Sequence, residues 1–400
     1  MRGRLSIAIL LTAMLAAAVS AAGGRAARPQ TILHTRQTVV ALALDGSDVA
    51  WLGGRPSPGA YGLGCDLSLR LLRAGKTALL PLPYEISHTE METCTDVSAD
   101  DSVAWAALAL GGGDVAWILV DSGGNNDVVS EGASSEAPRR TVTLVRMVDD
   151  PAGWLGVPPS GLTIGGVAAV DGVLALGKAH IAYREILRKP PKNPPLDFDS
   201  CDIDPNGLGC RTRVDGGGVY TWSGGAATRL SSLPPSLALA GAGDLLAVAT
   251  MPVGPWRHGE ARVGEVQVRD GRGRVVTRVP APQSLVSVAL SQHLLAVEGN
   301  GLSVYEVPSG RLLRPVRMGR TSWQGMAAVG HSLVLWDSRR VVAFDPWTGS
   351  RRTIVALPPR PASETAFSWT VTAVAVDGNR LAWAQTTPVG NSVVYAVDLG

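Results

Sequence analysis

The chain repeats one short pattern of apolar and polar positions along most of its length. A run of small apolar residues is followed by a tight polar turn and then by an apolar triplet, usually with alanine in its middle. The triplet occurs seven times: Val49-Ala50-Trp51, Val115-Ala116-Trp117, Leu174-Ala175-Leu176, Leu246-Ala247-Val248, Leu295-Ala296-Val297, Val334-Leu335-Trp336 and Leu381-Ala382-Trp383. Two apolar runs joined by a turn such as Asp-Gly are typical of a β-hairpin. The pattern therefore predicts an all-β chain with seven copies of one hairpin.

The spacing of the copies predicts the architecture. Neighbouring copies are 39 to 72 residues apart, and the shortest spacing is close to the ~40–45 residues of a four-stranded propeller blade. Two further strands follow most hairpins, as at 341–345 and 353–357, and the longer spacings fit the same blade with insertions. We therefore predict one domain over residues 30–400, a seven-bladed β-propeller of four-stranded antiparallel blades. The tryptophans at equivalent triplet positions, Trp51, Trp117, Trp336 and Trp383, are expected in its core.

The two ends of the repeat region complement each other. After the last triplet only residues 392–397 have the pattern of a strand, so the last blade is one strand short. Residues 31–35 precede the first copy without a blade of their own. Pairing them with the last blade would leave no open sheet edge. We therefore expect a ring closed by an N-terminal strand.

One turn carries a resemblance to a known group of propellers. Asp345-Pro346-Trp347-Thr348-Gly349 matches the Asp-x-x-Thr-Gly hairpin of quinoprotein blades. Together with the repeat, it makes residues 30–400 resemble the secreted seven-bladed β-propellers of the quinoprotein-like and Tol-Pal-type kind. The resemblance implies the architecture, but since the motif occurs in only one blade it implies no cofactor.

The insertions predict where a binding surface lies. They fall between the second and third strands of the first four blades, at 53–64, 121–140, 185–217 and 251–264. In a four-stranded meander such loops open on the same face as the links between blades, which we call the inserted-loop face. Loops on a rigid scaffold commonly carry function, so we expect binding there. The alternative is that these surface insertions have no function and vary in sequence without constraint, because a longer loop costs little stability.

The N-terminus and the composition predict the compartment. Residues 1–4 are basic, 5–19 apolar and 20–23 small, which is the order of a secretory signal peptide over 1–22, cleaved after Ala21 or Ala22. An uncleaved membrane anchor is the alternative, and no later apolar run reaches the ~18 residues of a membrane span. We expect a secreted or periplasmic protein on the cell-envelope exterior. Apolar residues make up 46% and charged residues 18%, which excludes a disordered chain. The formal charge of only +2 argues against nucleic acid as a partner.

Four cysteines agree with export. In an oxidising compartment an even number predicts two disulfides, and four cysteines allow three pairings. All lie in the mature part: Cys65, Cys94, Cys201 and Cys210. We favour Cys65 with Cys94 and Cys201 with Cys210, because each bridge then stays local.

The segment 201–210 contains the sharpest chemical motif. Alternate oxygen side chains followed by glycine match the first half of a D-x-D-x-N-G calcium loop. The matching residues are Asp202, Asp204, Asn206 and Gly207. Arg213 stands where the bidentate glutamate of that loop belongs, with Asp199 or Asp215 as substitutes. A calcium site and a polar turn tightened by a disulfide both remain open, and the departure favours the turn.

No linear motif predicts catalysis. The sequence has no Gly-x-Ser-x-Gly elbow, phosphate loop or Cys-x-x-Cys, and its six histidines lie in different blades without metal-ligand spacing. We therefore predict an exported non-catalytic binding or scaffold propeller that engages a protein or a cell-envelope glycan, with no assured cofactor. One alternative is a propeller enzyme, a lyase, hydrolase or quinone-dependent oxidoreductase, with its site at the channel mouth. The other is a structural envelope protein without a specific ligand.

Overall fold

A computed structural model of the chain describes most of the repeat region. The described residues are 28–55, 65–80, 82, 102–123, 126–135, 141–143, 162–185, 210–223, 226–230, 233–255, 257–258, 263–282, 285, 287–299, 301–313, 323–357, 369–387 and 390–399. The signal peptide predicted at 1–22 lies outside them, and the single domain over 30–400 stays a prediction. Within the described part of the chain, no helix has the length and apolar character needed to cross a bilayer.

The described residues form 28 strands. In chain order the strands are β1 (Gln30–Thr35), β2 (Thr38–Asp45), β3 (Asp48–Arg55), β4 (Cys65–Arg73), β5 (Lys76–Leu80), β6 (Ser102–Gly111), β7 (Asp114–Gly123), β8 (Asn126–Ser135), β9 (Thr141–Thr143), β10 (Leu162–Val170), β11 (Val173–Glu185), β12 (Cys210–Ser223), β13 (Ala226–Leu230), β14 (Ser236–Ala242), β15 (Leu245–Thr250), β16 (Arg257–His258), β17 (Glu265–Arg269), β18 (Val275–Pro280), β19 (Ser287–Leu290), β20 (Leu294–Glu298), β21 (Leu302–Glu306), β22 (Gly325–Val329), β23 (Ser332–Trp336), β24 (Arg340–Phe344), β25 (Arg351–Ala356), β26 (Thr370–Asp377), β27 (Arg380–Thr386) and β28 (Ser392–Asp398).

The strands pair into small antiparallel sheets, which we number in chain order. Sheet 1 is β2-β3-β4-β5, sheet 2 is β6-β7-β8-β9, sheet 3 is β10-β11-β12-β13 with β16 paired to β12, sheet 4 is β14-β15-β17-β18, sheet 5 is β19-β20-β21, sheet 6 is β22-β23-β24-β25 and sheet 7 is β1-β28-β27-β26. The prediction of an all-β propeller built from small antiparallel sheets is confirmed.

The blade count differs from the expectation of seven four-stranded blades. Six sheets have four or more strands, whereas sheet 5 has three. The fourth strand expected there, over 311–316, is reduced to an isolated bridge between Tyr305 and Leu312. Residues 314–320 lie outside the described part of the chain. The structure therefore establishes six full blades and one shorter sheet.

The first strands of the sheets surround a central cavity of ≈ 510 Å³. Each first strand contacts the next, in the order β2, β6, β10, β14, β19, β22 and β26, and β26 also contacts β2. The small residues of these strands allow the close approach. A Cβ added to Gly241 on β14 would lie 1.8 Å from the carbonyl oxygen of Ala169 on β10.

Each first hairpin closes with a two-residue turn, and these turns lie together at one end of the cavity, which we call the turn face. The turns are Gly46-Ser47, Gly112-Gly113, Asp171-Gly172, Gly243-Asp244, Gln292-His293, Gly330-His331 and Gly378-Asn379. Five of them begin with a glycine at positive φ, between 52° and 59°, as the turns that suit twisted hairpins require. The inserted-loop face is at the opposite end, because second strands run away from these turns.

Counting from these turns corrects one expected core position. Trp51, Trp117 and Trp383 are each the fourth residue of a second strand, and all three are buried. In β23 the fourth residue is Leu335, which is buried, and Trp336 is the fifth. Successive residues of a strand point to opposite faces, so Trp336 is only half-buried and lines the central cavity. Trp336 also packs against the buried cluster that includes Val334 and Val341, so it borders the core without being buried in it, and its triplet was aligned one residue too late.

Candidate functional site

The residues predicted to bind calcium and to form disulfides are mostly outside the described part of the chain. This holds for Asp202, Asp204, Asn206, Cys94 and Cys201. The other two cysteines, Cys65 and Cys210, are the first residues of β4 and β12. Both strands begin at the inserted-loop face. The calcium site and the cysteine pairing therefore stay predictions.

The inserted-loop face holds a strand ribbon where the insertion of sheet 3 was expected. β11 and β12 continue their pairing as far as Glu185 and Cys210. The insertion of sheet 4 joins this ribbon, because Arg257 on β16 pairs with Thr212 and the N–H of Gly254 donates to the carbonyl of Val214 at 3.3 Å. Insertions from two sheets thus share one set of backbone hydrogen bonds.

The structure contradicts the insertion that was expected in sheet 2 at 121–140. β7 continues to Gly123, and β8, the third strand, already occupies Asn126–Ser135. The second and third strands are therefore joined by residues 124–125 alone. The polar residues of 126–135 resembled a loop, but they pair along the whole of β7.

A second concavity lies on the turn face, between sheets 5 and 6. It has a volume of ≈ 360 Å³, and five side chains with polar or aromatic groups line it: His293, Glu306, His331, Asp345 and Trp347. The two exposed imidazole rings stack with 4.0 Å between centroids and 9° between planes. The indole of Trp347 meets the His331 ring at 5.1 Å and 66°. We call this concavity the turn-face pocket.

The pocket is built from equivalent positions of two neighbouring sheets. His293 and His331 are each the second residue of the two-residue turn between first and second strands. Glu306 pairs with Leu294, the first residue of β20, and Asp345 directly follows Phe344, which pairs with Leu333, the second residue of β23. Glu306 is therefore the last residue of its third strand, and Asp345 directly follows its own. Sequence reasoning separated the histidines by blade and missed this repetition, which alignment on the turns would have revealed.

Both carboxylates of the pocket are held as anions by their own turns. The guanidinium of Arg311 and the hydroxyl of Ser309 lower the pKa of Glu306 to about 2. Burial works to raise the pKa of Asp345, but hydrogen bonds from the hydroxyl and backbone N–H of Thr348 and from the backbone N–H of Trp347 outweigh it and lower that pKa. Both acids are therefore negatively charged and fixed in orientation.

The stacked histidines do not suit a shared metal ion. A ligating ring nitrogen directs its lone pair in the plane of the ring, at ~2.0–2.1 Å from zinc. Two rings that are parallel within 9° and 4.0 Å apart cannot both direct a lone pair at one ion. Among the described residues, no group of three His, Cys, Asp or Glu side chains is placed to hold a metal.

Comparison with known proteins gives no relative from which to transfer a function. No protein-family model and no curated protein matches the chain. The solved structures that resemble it include the computationally designed Ika8 protein, with 12% identity, a TM-score of 0.39 and coverage of 92% of this chain and 98% of the other. Sqt1 of Saccharomyces cerevisiae has 13% identity, a TM-score of 0.36 and coverage of 92% and 99%. These values carry no argument about function.

Proposed function

We propose that the protein is an exported, non-catalytic binding or scaffold propeller that engages a protein or a cell-envelope glycan through its inserted-loop face. One observation carries the proposal. The insertions of sheets 3 and 4 are joined by the pairing of Thr212 with Arg257 into one ribbon. A surface formed jointly by two blades on a rigid scaffold is typical of a binding site.

The packing beneath the ribbon also favours a binding function rather than the alternative that the insertions vary without constraint. Met251 and Val263, at the two ends of the sheet 4 insertion, are 0% and 8% exposed. They belong to one apolar cluster with Val214 of β12 and Ala179 of β11. Insertions under no constraint would not need a shared core, so the cluster favours a surface with a defined shape.

We further propose that sheet 5 is a seventh blade and that β1 closes the ring. Three kinds of contact support this. β1 pairs with β28 as the outer strand of sheet 7. The N–H of Gly46 in sheet 1 donates to Asp377 Oδ2 in sheet 7 at 2.6 Å, and the N–H of Val39 donates to Ser392 Oγ at 3.0 Å. First strands contact one another in an unbroken series. The likeness to quinoprotein-like and Tol-Pal-type propellers rests only on the repeat and the turn at Asp345.

A shortened ribbon tests the binding function. Residues 186–209 are replaced by Asn-Gly, since Glu185 and Cys210 pair directly and Asn-Gly forms a two-residue hairpin turn. The deletion removes Cys201, the predicted disulfide partner of Cys210, so the variant also carries Cys210→Ser. Immobilised wild type is expected to retain a component of a cell-envelope extract that the shortened protein does not retain.

The matched control is Gly271→Ala on the turn face, where an added Cβ meets only ordinary contacts at 3.7 and 3.8 Å. Both variants should melt close to the wild type. Equal retention by wild type and by the shortened protein, or no retention by the wild type, would contradict the proposed function. Fractionating the retained material into protein and glycan then identifies the class of ligand.

A further inference from the structure

Three turns on the turn face are closed by the same kind of backbone hydrogen bond, although the turn of sheet 4 is one residue shorter than the other two. The acid at the turn-face end of the third strand, its last residue or the one after it, donates its N–H to the carbonyl of the residue that closes the turn. The pairs are Asp270 with Arg274 at 3.0 Å, Glu306 with Arg311 at 2.9 Å and Asp345 with Ser350 at 2.9 Å. In each turn the residue directly before the closing residue is a glycine at positive φ: Gly273, Gly310 and Gly349. Arg274, Arg311 and Ser350 are therefore structural equivalents in sheets 4, 5 and 6.

Two of the three turns place a guanidinium on their own carboxylate. Arg274 Nε donates to Asp270 Oδ2 at 2.8 Å, and Arg311 Nε donates to Glu306 Oε2 at 3.1 Å. In sheet 6 the equivalent residue is Ser350, whose hydroxyl lies 3.0 Å from that of Thr348. The turn at Asp345 thus keeps the acid of its neighbours and has a serine where they have arginine.

The turn-face pocket opens at this third acid. The described residues that line it include two carboxylates, two imidazoles and an indole, and no arginine or lysine. A planar guanidinium stacks on aromatic faces and donates paired hydrogen bonds to a carboxylate. A cation is attracted by the faces of aromatic rings, whereas an anion would be repelled by the carboxylate of Asp345, whose turn has Ser350 where the neighbouring turns have arginine.

We propose that the turn-face pocket binds a guanidinium group supplied from outside the chain, with Asp345 accepting its hydrogen bonds and the rings of His331 and Trp347 forming its walls. The ligand takes the place that Arg274 and Arg311 occupy in the neighbouring turns. Its source is either a free arginine-like molecule or an arginine side chain of another protein. The pocket lies on the face opposite the ribbon, so the proposal stands independently of the proposed function.

Isothermal titration calorimetry with two matched probes tests whether binding requires the positive charge of the guanidinium. N-acetyl-L-arginine amide and N-acetyl-L-citrulline amide have nearly the same shape, but the second has a neutral urea in place of the guanidinium. The arginine probe is expected to bind at least about tenfold more tightly, because charge-assisted hydrogen bonds are the stronger ones. Equal affinity of the two probes would overturn the proposal.

Two variants test the position of the site. Ser350→Arg supplies the missing internal guanidinium and should abolish binding of the arginine probe while keeping the fold, which a thermal melt checks. Asp345→Asn should also abolish it. The control is Asp270→Asn, which changes the equivalent acid of sheet 4 and should leave binding unchanged. Binding by Ser350→Arg at the wild-type affinity would overturn the proposal even if Asp345→Asn failed to fold.

A third probe distinguishes the two sources. The peptide acetyl-Gly-Arg-Gly amide presents the same guanidinium with chain on both sides. Affinity equal to that of the arginine amide shows that the pocket accepts an arginine side chain of another protein. Binding of the amide without binding of the peptide identifies a small molecule. Binding of neither probe would contradict the proposal.

Discussion

Single side chains next to the two-residue turns join neighbouring sheets. The carboxylate of Asp45 accepts from the N–H of Gly112 at 2.9 Å, and that of Asp377 accepts from the N–H of Gly46 at 2.6 Å. The hydroxyl of Ser291 donates to the carbonyl of Gly330 at 2.7 Å. The aspartate of an Asp-Gly pair is here the last residue of its strand, and its carboxylate reaches the turn of the next sheet. The pair thus forms a hairpin and also fixes the spacing between sheets.

The bond between Arg311 and Glu306 predicts a pH dependence of stability. Arg311 and Ser309 lower the pKa of Glu306 from 4.5 to about 2 in the folded protein. A carboxyl whose pKa is depressed on folding contributes stability above its unfolded pKa, and this contribution is lost as the pH falls through the folded value. We expect Glu306→Gln to lower the melting temperature at pH 5 and to lower it progressively less towards pH 2.

The measurement is a series of thermal melts of wild type and Glu306→Gln between pH 5 and pH 2. Arg311→Met should reproduce the effect, because it removes the other partner of the same bond. Glu306 is solvent-accessible, so we expect a small effect that weakens in high salt. A difference between wild type and Glu306→Gln that stays constant over this pH range would contradict the assignment.

At the scale of the element, the innermost strands are limited by how closely their backbones approach. Gly241 on β14 has an ordinary φ, yet an added Cβ would lie 1.8 Å from the carbonyl oxygen of Ala169. Backbone must shift to admit it, so Gly241→Ala should destabilise the protein by about 1–3 kcal/mol, as overpacking does. Urea unfolding measures the change. The control is Gly254→Ala, where an added Cβ meets nothing within 4 Å, and equal stability of the two variants would refute the steric argument.

The sequence predicts the elements where composition and turn chemistry agree, and misses what depends on register. The hairpins, their small first strands and the buried Trp51, Trp117 and Trp383 follow from the repeat. Trp336 is half-buried at the edge of the core, because a shift of one residue reverses the face of a side chain. The turn-face pocket was missed for the same reason, since His293 and His331 become equivalent only when counted from their turns. Calcium-binding and disulfide predictions concern long insertions, where no periodicity constrains the position.

At the scale of the whole molecule, the two ends of the central cavity differ in construction. The turn face consists of short turns joined side by side, as by the bond from Gln292 Nε2 to the carbonyl of Ala242 at 2.7 Å. The inserted-loop face has long ribbons, in which β12 has 14 residues. A rigid end with a small charged pocket suits a small ligand group, whereas an extended end suits a macromolecule. The two proposed sites therefore differ in ligand size as well as in position.

Removal of β1 tests whether the ring is closed by this strand. A chain that begins at Gln37 lacks β1 and leaves the edge of β28 unpaired, together with the apolar contacts of Ile32 and Leu33 in the cluster that includes Val394. An exposed sheet edge favours association between molecules. We expect a lower melting temperature and concentration-dependent association in gel filtration. The matched control begins at Arg28 and keeps β1, so an identical melting temperature and elution volume for the two chains would mean that β1 does not close the ring.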